Sequence, residues 1–369
     1  MTTHIKTYVG LMSGTSMDGI DAALVSFVQG ALTLHALRTL PYPPDLRARL
    51  ERLSQNQGTP DEIGEVDHQL GHLFGEAASQ VIESSGIPLT DIVAIGSHGQ
   101  TVRHQPKGIS RFSMQLGDPN MIAERTGITT IADFRRRDMA AGGEGAPLVP
   151  AFHRAFFGSL TEDRCIINIG GIANITWLPH KDPEQASGFD TGPGNALMDA
   201  WCHDQTGRHF DEEGRWASKG QVDEALLADM LTDGYFTAPV PKSTGKEKFN
   251  LSWIRTMLAR HPGTSAVDVQ RTLLELSAQT IAQQLPTASE GKLYICGGGV
   301  NNLALMDTLA AACPQYDIES TQALGLDPQW VEAAAFAWLA KQTVEASSGN
   351  LPKVTGARGK RILGALYQP

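Results

Sequence analysis

Cysteine is scarce in this chain: 369 residues hold four, Cys165, Cys202, Cys296 and Cys313, far apart and without a C-x-x-C pair. That excludes a disulfide scaffold, argues against a zinc site and fits a reducing, cytoplasmic compartment. Basic residues are also in deficit, 30 Lys and Arg against 40 Asp and Glu, for a net charge of −10. Nucleic acid and anionic membranes ask for a basic face, so neither is expected as a partner. A small anionic ligand in a locally basic or amide-lined pocket stays possible. No window approaches the roughly 20 apolar residues that span a bilayer. Met1-Thr-Thr-His-Ile-Lys-Thr7 runs straight into a strand pattern, so no signal peptide is expected. Several catalytic signatures are missing too. There is no G-x-S-x-G elbow. Gly245-Lys246 is followed by Glu247 and makes no P-loop, and Gly192-Pro-Gly194 lacks the third glycine of a Rossmann loop.

What is present is a globular composition, 41% hydrophobic and 19% charged, in a chain long enough for two domains. It opens on Tyr8-Val-Gly-Leu-Met-Ser-Gly-Thr-Ser-Met-Asp-Gly-Ile-Asp-Ala-Ala-Leu-Val25, two apolar runs about a Gly/Ser/Thr turn. This reads as strand, tight hairpin, strand, with a third strand over 31–40. Thr59-Pro60-Asp61-Glu62 is a cap, a first-turn proline and a capping-box acid, and apolar residues at helical spacing carry a helix on to residue 84. A short strand at 92–95 then delivers Ser97-His-Gly-Gln-Thr101, Asp118-Pro119 starts a helix that Gly127 ends, and a strand over 128–132 leads into Asp133-Phe-Arg-Arg-Arg-Asp138. After the glycine-rich break Ala140-Ala-Gly-Gly-Glu-Gly-Ala-Pro-Leu-Val-Pro150, Cys165-Ile-Ile-Asn-Ile-Gly-Gly-Ile-Ala-Asn-Ile-Thr-Trp-Leu178 repeats the opening theme, which suggests a duplication. Helices are expected over 196–205, 221–231, 251–260, 266–285 and 303–312, a strand over 293–296, and a last helix, capped by Asp327-Pro328, running to 341. Strands alternating with helices make the fold α/β with parallel sheet segments in both halves.

Three glycine-rich loops each follow a strand: 13–19, 190–194 and 297–299. Any one of them alone is a weak signal and reads first as a structural turn. Together, with two leading into helix N-termini, they point to nucleotide phosphates, because glycines let backbone amides approach an anion closely. Asp18 and Asp21 at the hairpin exit suit a hydrated metal ion, or are ordinary turn aspartates. Asp190, read at the tip of a strand beside Thr191-Gly-Pro-Gly194, suits a general base or an indirect metal ligand; its plain alternative is a cap. Arg135, Arg136 and Arg137 are either a solvated run or the source of a bidentate carboxylate clamp, with Arg135 favoured by strand alternation. His98 and Gln100 end a strand on the same expected side and suit hydrogen bonding to a polar substrate. His68 and His72, four apart on a helix, read as surface residues.

The motifs resemble one family over essentially the whole length. Gly10-Leu-Met-Ser-Gly-Thr-Ser-Met-Asp-Gly-Ile-Asp21, Ser97-His-Gly-Gln-Thr101, Asp133-Phe-Arg-Arg-Arg-Asp138, Gly143-Glu-Gly-Ala-Pro-Leu-Val-Pro-Ala-Phe-His153, Asn168-Ile-Gly-Gly-Ile-Ala-Asn174, Asp190-Thr-Gly-Pro-Gly-Asn195, Pro241-Lys-Ser-Thr-Gly245, Cys296-Gly-Gly-Gly299 and Glu332-Ala-Ala-Ala-Phe-Ala-Trp-Leu339 are similar to those of anhydro-N-acetylmuramic acid kinases. These belong to the actin, hexokinase and heat-shock ATPase superfamily. The resemblance implies two duplicated ribonuclease-H-like domains about a cleft, 1–135 and 136–369, with the helix over 327–341 packed on the first and a hinge near 135–150.

It further implies a kinase that uses ATP and magnesium to open 1,6-anhydro-N-acetylmuramic acid and phosphorylate O6, giving N-acetylmuramic acid 6-phosphate in peptidoglycan recycling. The catalytic base then falls on Asp190. The ATP stretch falls on Gly14, Thr15, Ser16, Met17, Asp18, Gly19, Ile20 and Asp21, with Gly297, Gly298, Gly299 and Asn301 toward adenosine. Arg135, His98 and Gln100 stand on the muramic acid side, and Asp18 is the candidate magnesium ligand. Two departures are visible. The superfamily places an Asp where this chain has Leu11-Met12, and Glu144 stands where many family members have Gln. A homodimer is a partner reading the sequence leaves open. An ordinary sugar kinase and an actin-like ATPase switch are the competing readings.

Overall fold

The first apolar run becomes β1, Thr7–Ser13, which is buried along its whole length as a central strand covered on both faces must be. A computed structural model describes residues 5–14, 16–286 and 291–369. β1 pairs antiparallel with β2, Gly19–Val28, which pairs antiparallel with β3, Ala31–Pro41. On the other side β4, Ile92–Gln105, runs parallel to β1. β5, Phe112–Leu116, folds back on the far end of β4, and β6, Thr130–Ala132, is parallel to β4. The crossover from β3 to β4 runs through a short helix, Pro44–Ser54, and then a long one, Pro60–Ser85. At the start of the long helix the Thr59 hydroxyl accepts from the Glu62 amide, and Gly86 closes it at a φ of 67° that glycine adopts without strain. This helix lays Val66, Leu70, Phe74, Ala77 and Val81 into a core with Val9, Leu11 and Ile20 of the sheet.

Among the departures from expectation, two bear on the site. β4 continues through 97–101 to Gln105, because β5, which carries no strong signal of its own, supplies partners such as Leu116 for Gln100. The charged run after β6 is a helix, Phe134–Ala140, which turns Arg135, Asp138 and Met139 inward and leaves Arg136 and Arg137 exposed.

The second half repeats the plan. β7, Arg164–Ile169, β8, Ile172–Leu178, and β9, Ser187–Pro193, form an antiparallel meander. β10, Gly291–Cys296, is parallel to β7, and β11, Tyr316–Ser320, is parallel to β10. The order β3-β2-β1-β4-β6 in one sheet matches β9-β8-β7-β10-β11 in the other, with the same directions at every pairing. That is a duplicated ribonuclease-H-like arrangement, each copy built on its own hydrophobic core.

The chain then returns to the first sheet. The helix Val331–Val344 packs on β1 and β4, and β12, Ala365–Tyr367, pairs antiparallel with β6. Its first helical residue falls after Trp330, while Asp327 instead accepts from the Gln329 amide in the preceding turn. The compact units are therefore Met1–Phe157 with Trp330–Pro369, and Gly158–Gln329. This division departs from 135/136. The helix Val149–Phe157 stays with the first unit because Phe156 meets Phe27 at 5.2 Å between ring centroids and Phe152 meets Trp338 at 6.2 Å.

Candidate active site

In the first unit the carboxyl ends of β1, β4 and β6 lie at one edge, since these strands are parallel. The turn after β1 is braced from β4. The Ser13 hydroxyl lies 2.7 Å from both the Gly19 carbonyl and Gln100 Oε1, and Gln100 Nε2 donates to the Gly14 carbonyl at 3.2 Å. The Met17 amide donates back to Gly14 O at 3.3 Å with Met17 at a φ of 55°. Gln100 is fully buried, so its role here is to shape the turn. Ile20 lies in the core, and a Cβ on Gly19 would meet the Leu40 carbonyl at 2.6 Å, so both serve packing. A Cβ on Gly14 would meet nothing nearer than the Ser16 hydroxyl at 3.8 Å, and Ser16 and Asp18 are exposed; these are the groups that can reach a ligand. Thr15 lies outside the described residues.

The acids at the hairpin exit sit close. The Ser16 hydroxyl donates to Asp18 at 2.7 Å and that of Thr39 to Asp21 at 2.6 Å. Burial, with the Asp18 charge adding to it, pushes the Asp21 carboxyl above its ordinary value against the Thr39 bond. Among the described residues no group of three His, Cys, Asp or Glu gathers as a metal cage.

His98 and Arg135 come together as one unit. His98 Nε2 accepts from Arg135 Nε at 3.1 Å and Nη2 at 2.8 Å, while Arg135 Nη1 donates to the Gly145 carbonyl at 2.8 Å. Burial, then the Arg135 charge, holds His98 well below its ordinary pKa, so it is a neutral acceptor. Sequence reasoning missed Glu332, in the first turn of Val331–Val344. Burial pushes its carboxyl up to about 7, with Arg135 opposing and Asp21 reinforcing the shift. Its one visible signal is an acid standing alone at the head of an alanine-rich apolar run.

In the second unit three glycine segments meet at the carboxyl ends of β7, β9 and β10. The amides of Gly194 and Asn195 donate to the carbonyls of Gly171 and Gly170 at 2.9 and 2.8 Å, and the helix Ala196–Thr206 begins there. Gly297 has a φ of 80°, and a Cβ on it would meet Asn168 Oδ1 at 2.3 Å; one on Gly299 would meet Ile169 Cγ2 at the same distance. These two glycines let the loop lie on β7. Gly298 has nothing within 4 Å and Asn301 is exposed, so they face outward.

Asp190 lies inside β9, opposite Asn174, and not at a strand tip, because the pairing with β8 runs on to Pro193. It is no helix cap either; Asn195 holds that position. A strap after the helix Glu224–Leu231 grips it at several points. The Asp190 amide donates to the Lys242 carbonyl at 3.0 Å, its carbonyl accepts from Tyr235 OH at 2.7 Å, and its Oδ2 accepts from the Thr244 amide at 3.0 Å.

Duplicated ribonuclease-H-like units, with glycine turns at the carboxyl ends of their parallel strands, define the fold class. The family model for anhydro-N-acetylmuramic acid kinase matches residues 6–369. The chain belongs to that family. Relatives bearing that name are 50% identical over 368 residues in Coxiella burnetii, covering 98% of this chain and 97% of theirs, and 51% identical over 367 residues in Xylella fastidiosa, covering 98% and 96%. One from Shewanella amazonensis is 49% identical over 362 residues, covering 98% of each. Among solved structures, a ROK family glucokinase from Streptomyces griseus in complex with glucose and AMPPNP aligns with a TM-score of 0.39 at 14% identity, covering 91% of this chain and 99% of that one.

Proposed function

We propose that this protein uses ATP to convert 1,6-anhydro-N-acetylmuramic acid to N-acetylmuramic acid 6-phosphate, a step of peptidoglycan recycling in the cytoplasm. The family match along the chain supports the substrate, and four cysteines that are all buried and form no disulfide fit the compartment. One observation carries the chemistry: the Asp190 carboxylate is held by a backbone amide within a strand, beside the opening of a helix.

Asp190 takes a proton from water as that water attacks the anomeric carbon. The C1–O6 bond breaks, and the freed O6 attacks the γ-phosphorus in line while the bond to the β-phosphate oxygen breaks, releasing ADP. The turn carrying Gly14, Ser16 and Asp18 binds the triphosphate through backbone amides and a hydroxyl, and Gly298 and Asn301 contact the nucleoside. Arg135, with its fork set by His98 and Gly145, binds the muramic acid carboxylate. Asp18 and Asp21 fit magnesium: both offer hard oxygens, and the repulsion between them is what a divalent cation relieves. When bound there it would neutralise phosphate charge.

Asp190→Asn tests the reading. The amide keeps size and hydrogen bonding but cannot take a proton, so turnover drops by about 10²–10⁴ while ATP binding by calorimetry stays native. Retained turnover refutes Asp190 as the base. Phosphate transfer to free N-acetylmuramic acid alone, with none to the anhydro sugar, refutes the ring-opening reaction.

A further inference from the structure

We infer that Lys242 is a positioning residue for Asp190, an internal clip whose ammonium locks the two arms of the strap that fixes the carboxylate. The inference rests on the reading of Asp190 as the base. Lysine is almost never fully buried without a partner charge, yet Lys242 is 3% exposed. Its Nζ donates to the carbonyls of Tyr235 and Phe236 at 3.0 and 2.9 Å and lies 4.8 Å above the centre of the Tyr235 ring. The carboxylate on that strap, Asp233, is engaged by Lys248 at 2.7 Å and by the Trp253 indole at 3.2 Å, so it is not the counter-ion. Burial depresses the Lys242 pKa, so the two carbonyls and the ring face are what favour the ammonium at this depth. At that depth Lys242 cannot touch a nucleotide or a sugar.

Its place explains its retention. The strap reaches Asp190 with two arms. Tyr235, on one arm, donates its phenol to the Asp190 carbonyl; on the other, the Lys242 carbonyl takes the Asp190 amide and the Thr244 amide holds Oδ2. The Lys242 side chain ties the second arm to the first, and Gln284 Nε2 secures the Phe236 carbonyl from outside at 3.3 Å. Cutting that tie frees the Thr244 amide to drift while the strand hydrogen bonds of β9 remain. An oriented base is sensitive to such drift: misplacement by about 1 Å costs on the order of 10² in rate.

Lys242→Met keeps the apolar stem and removes the donors. We expect kcat to fall about 10²-fold with KM for ATP unchanged. The acid limb of the kcat–pH profile should move to higher pH, because a carboxylate that loses an N–H donor becomes more basic. Tyr235→Phe is the milder companion and should shift the limb the same way, and the double variant should be no slower than Lys242→Met alone, since both cut one device. Asp190→Asn is measured alongside. Inactive Asp190→Asn with native kcat and a native acid limb in Lys242→Met overturns the clip alone, whereas an active Asp190→Asn overturns the base and the clip together. If Lys242→Met shows no cooperative unfolding transition, Tyr235→Phe decides: a native kcat and profile there overturn the inference.

Discussion

Replacing Gly10 by alanine should unseat the helix Val331–Val344 from the first sheet. A Cβ built on Gly10 would lie 1.8 Å from the Ala333 carbonyl oxygen and 2.7 Å from the Ala337 nitrogen, both backbone atoms that no side-chain rotation can clear. Restoring even a tight contact of about 3.3 Å needs roughly 1.5 Å of retreat, and a gap of that size forfeits much of the dispersion energy along the interface. Overpacking a core costs about 1–3 kcal/mol, and the rigid obstacle places this case at the top of that range. The smaller entropy of an unfolded chain carrying alanine returns about 0.5–1 kcal/mol, leaving a net loss of about 2 kcal/mol. With a urea slope of about 2 kcal/mol/M the midpoint falls by about 1 M. Hydrogen exchange in residues 331–344 should quicken. Gly64→Ala is the internal control: this helix glycine has nothing within 4 Å, so alanine there should raise stability by about 1 kcal/mol. A native midpoint and native exchange in Gly10→Ala would refute the seating argument.

Two other perturbations probe the first unit. Asp138, fully buried, accepts from Asn350 Nδ2 at 2.7 Å, Thr355 Oγ1 at 2.8 Å and the Gly145 amide at 3.0 Å. Asp138→Asn turns donor against donor and should cost about 1–3 kcal/mol, read as a lowered Tm; an unchanged Tm contradicts it. Glu332 titrates near 7 in the folded chain against an ordinary 4.5, so the fold holds its proton more tightly than the unfolded chain does. Stability from this group is full below about 4.5 and is lost as pH climbs through 7. Glu332→Gln should therefore raise the urea midpoint at pH 8 and leave it unchanged at pH 4; equal midpoints at both would refute the assignment.

Much of the scaffold was legible because local chemistry wrote it. Thr59, Pro60 and Glu62 announce the first long helix, Gly86 and Gly127 stop two helices, and both opening hairpins declare themselves by apolar runs about glycine. β5 and β12 escaped because such short strands exist only by pairing: β5 folds back on an extension of β4 that has no strong apolar signal, and the partner of β12 is distant in sequence. Arg135 was singled out for strand alternation and does face inward, but from a helix whose buried positions include Asp138 and Met139. Asp190 was visible as an acid beside a glycine turn. Lys242 and Glu332 were not, because a charge's burial is decided by what folds over it; the alanine-rich apolar run after Glu332 is the one local hint, and Lys242 has none.

The return of the last forty residues to the first sheet has a consequence for synthesis. Emerging from the ribosome, residues 158–329 hold every strand of their own sheet and can close around a finished core. The earlier-made lobe cannot: until residues 331–344 are translated, the face of β1 and β4 opened by Gly10 and Gly96 lies bare, and the outer side of β6 lacks its partner. What is made first is thus completed last, and a premature stop shortly after residue 329 would leave an intact second lobe tethered to a half-clothed one.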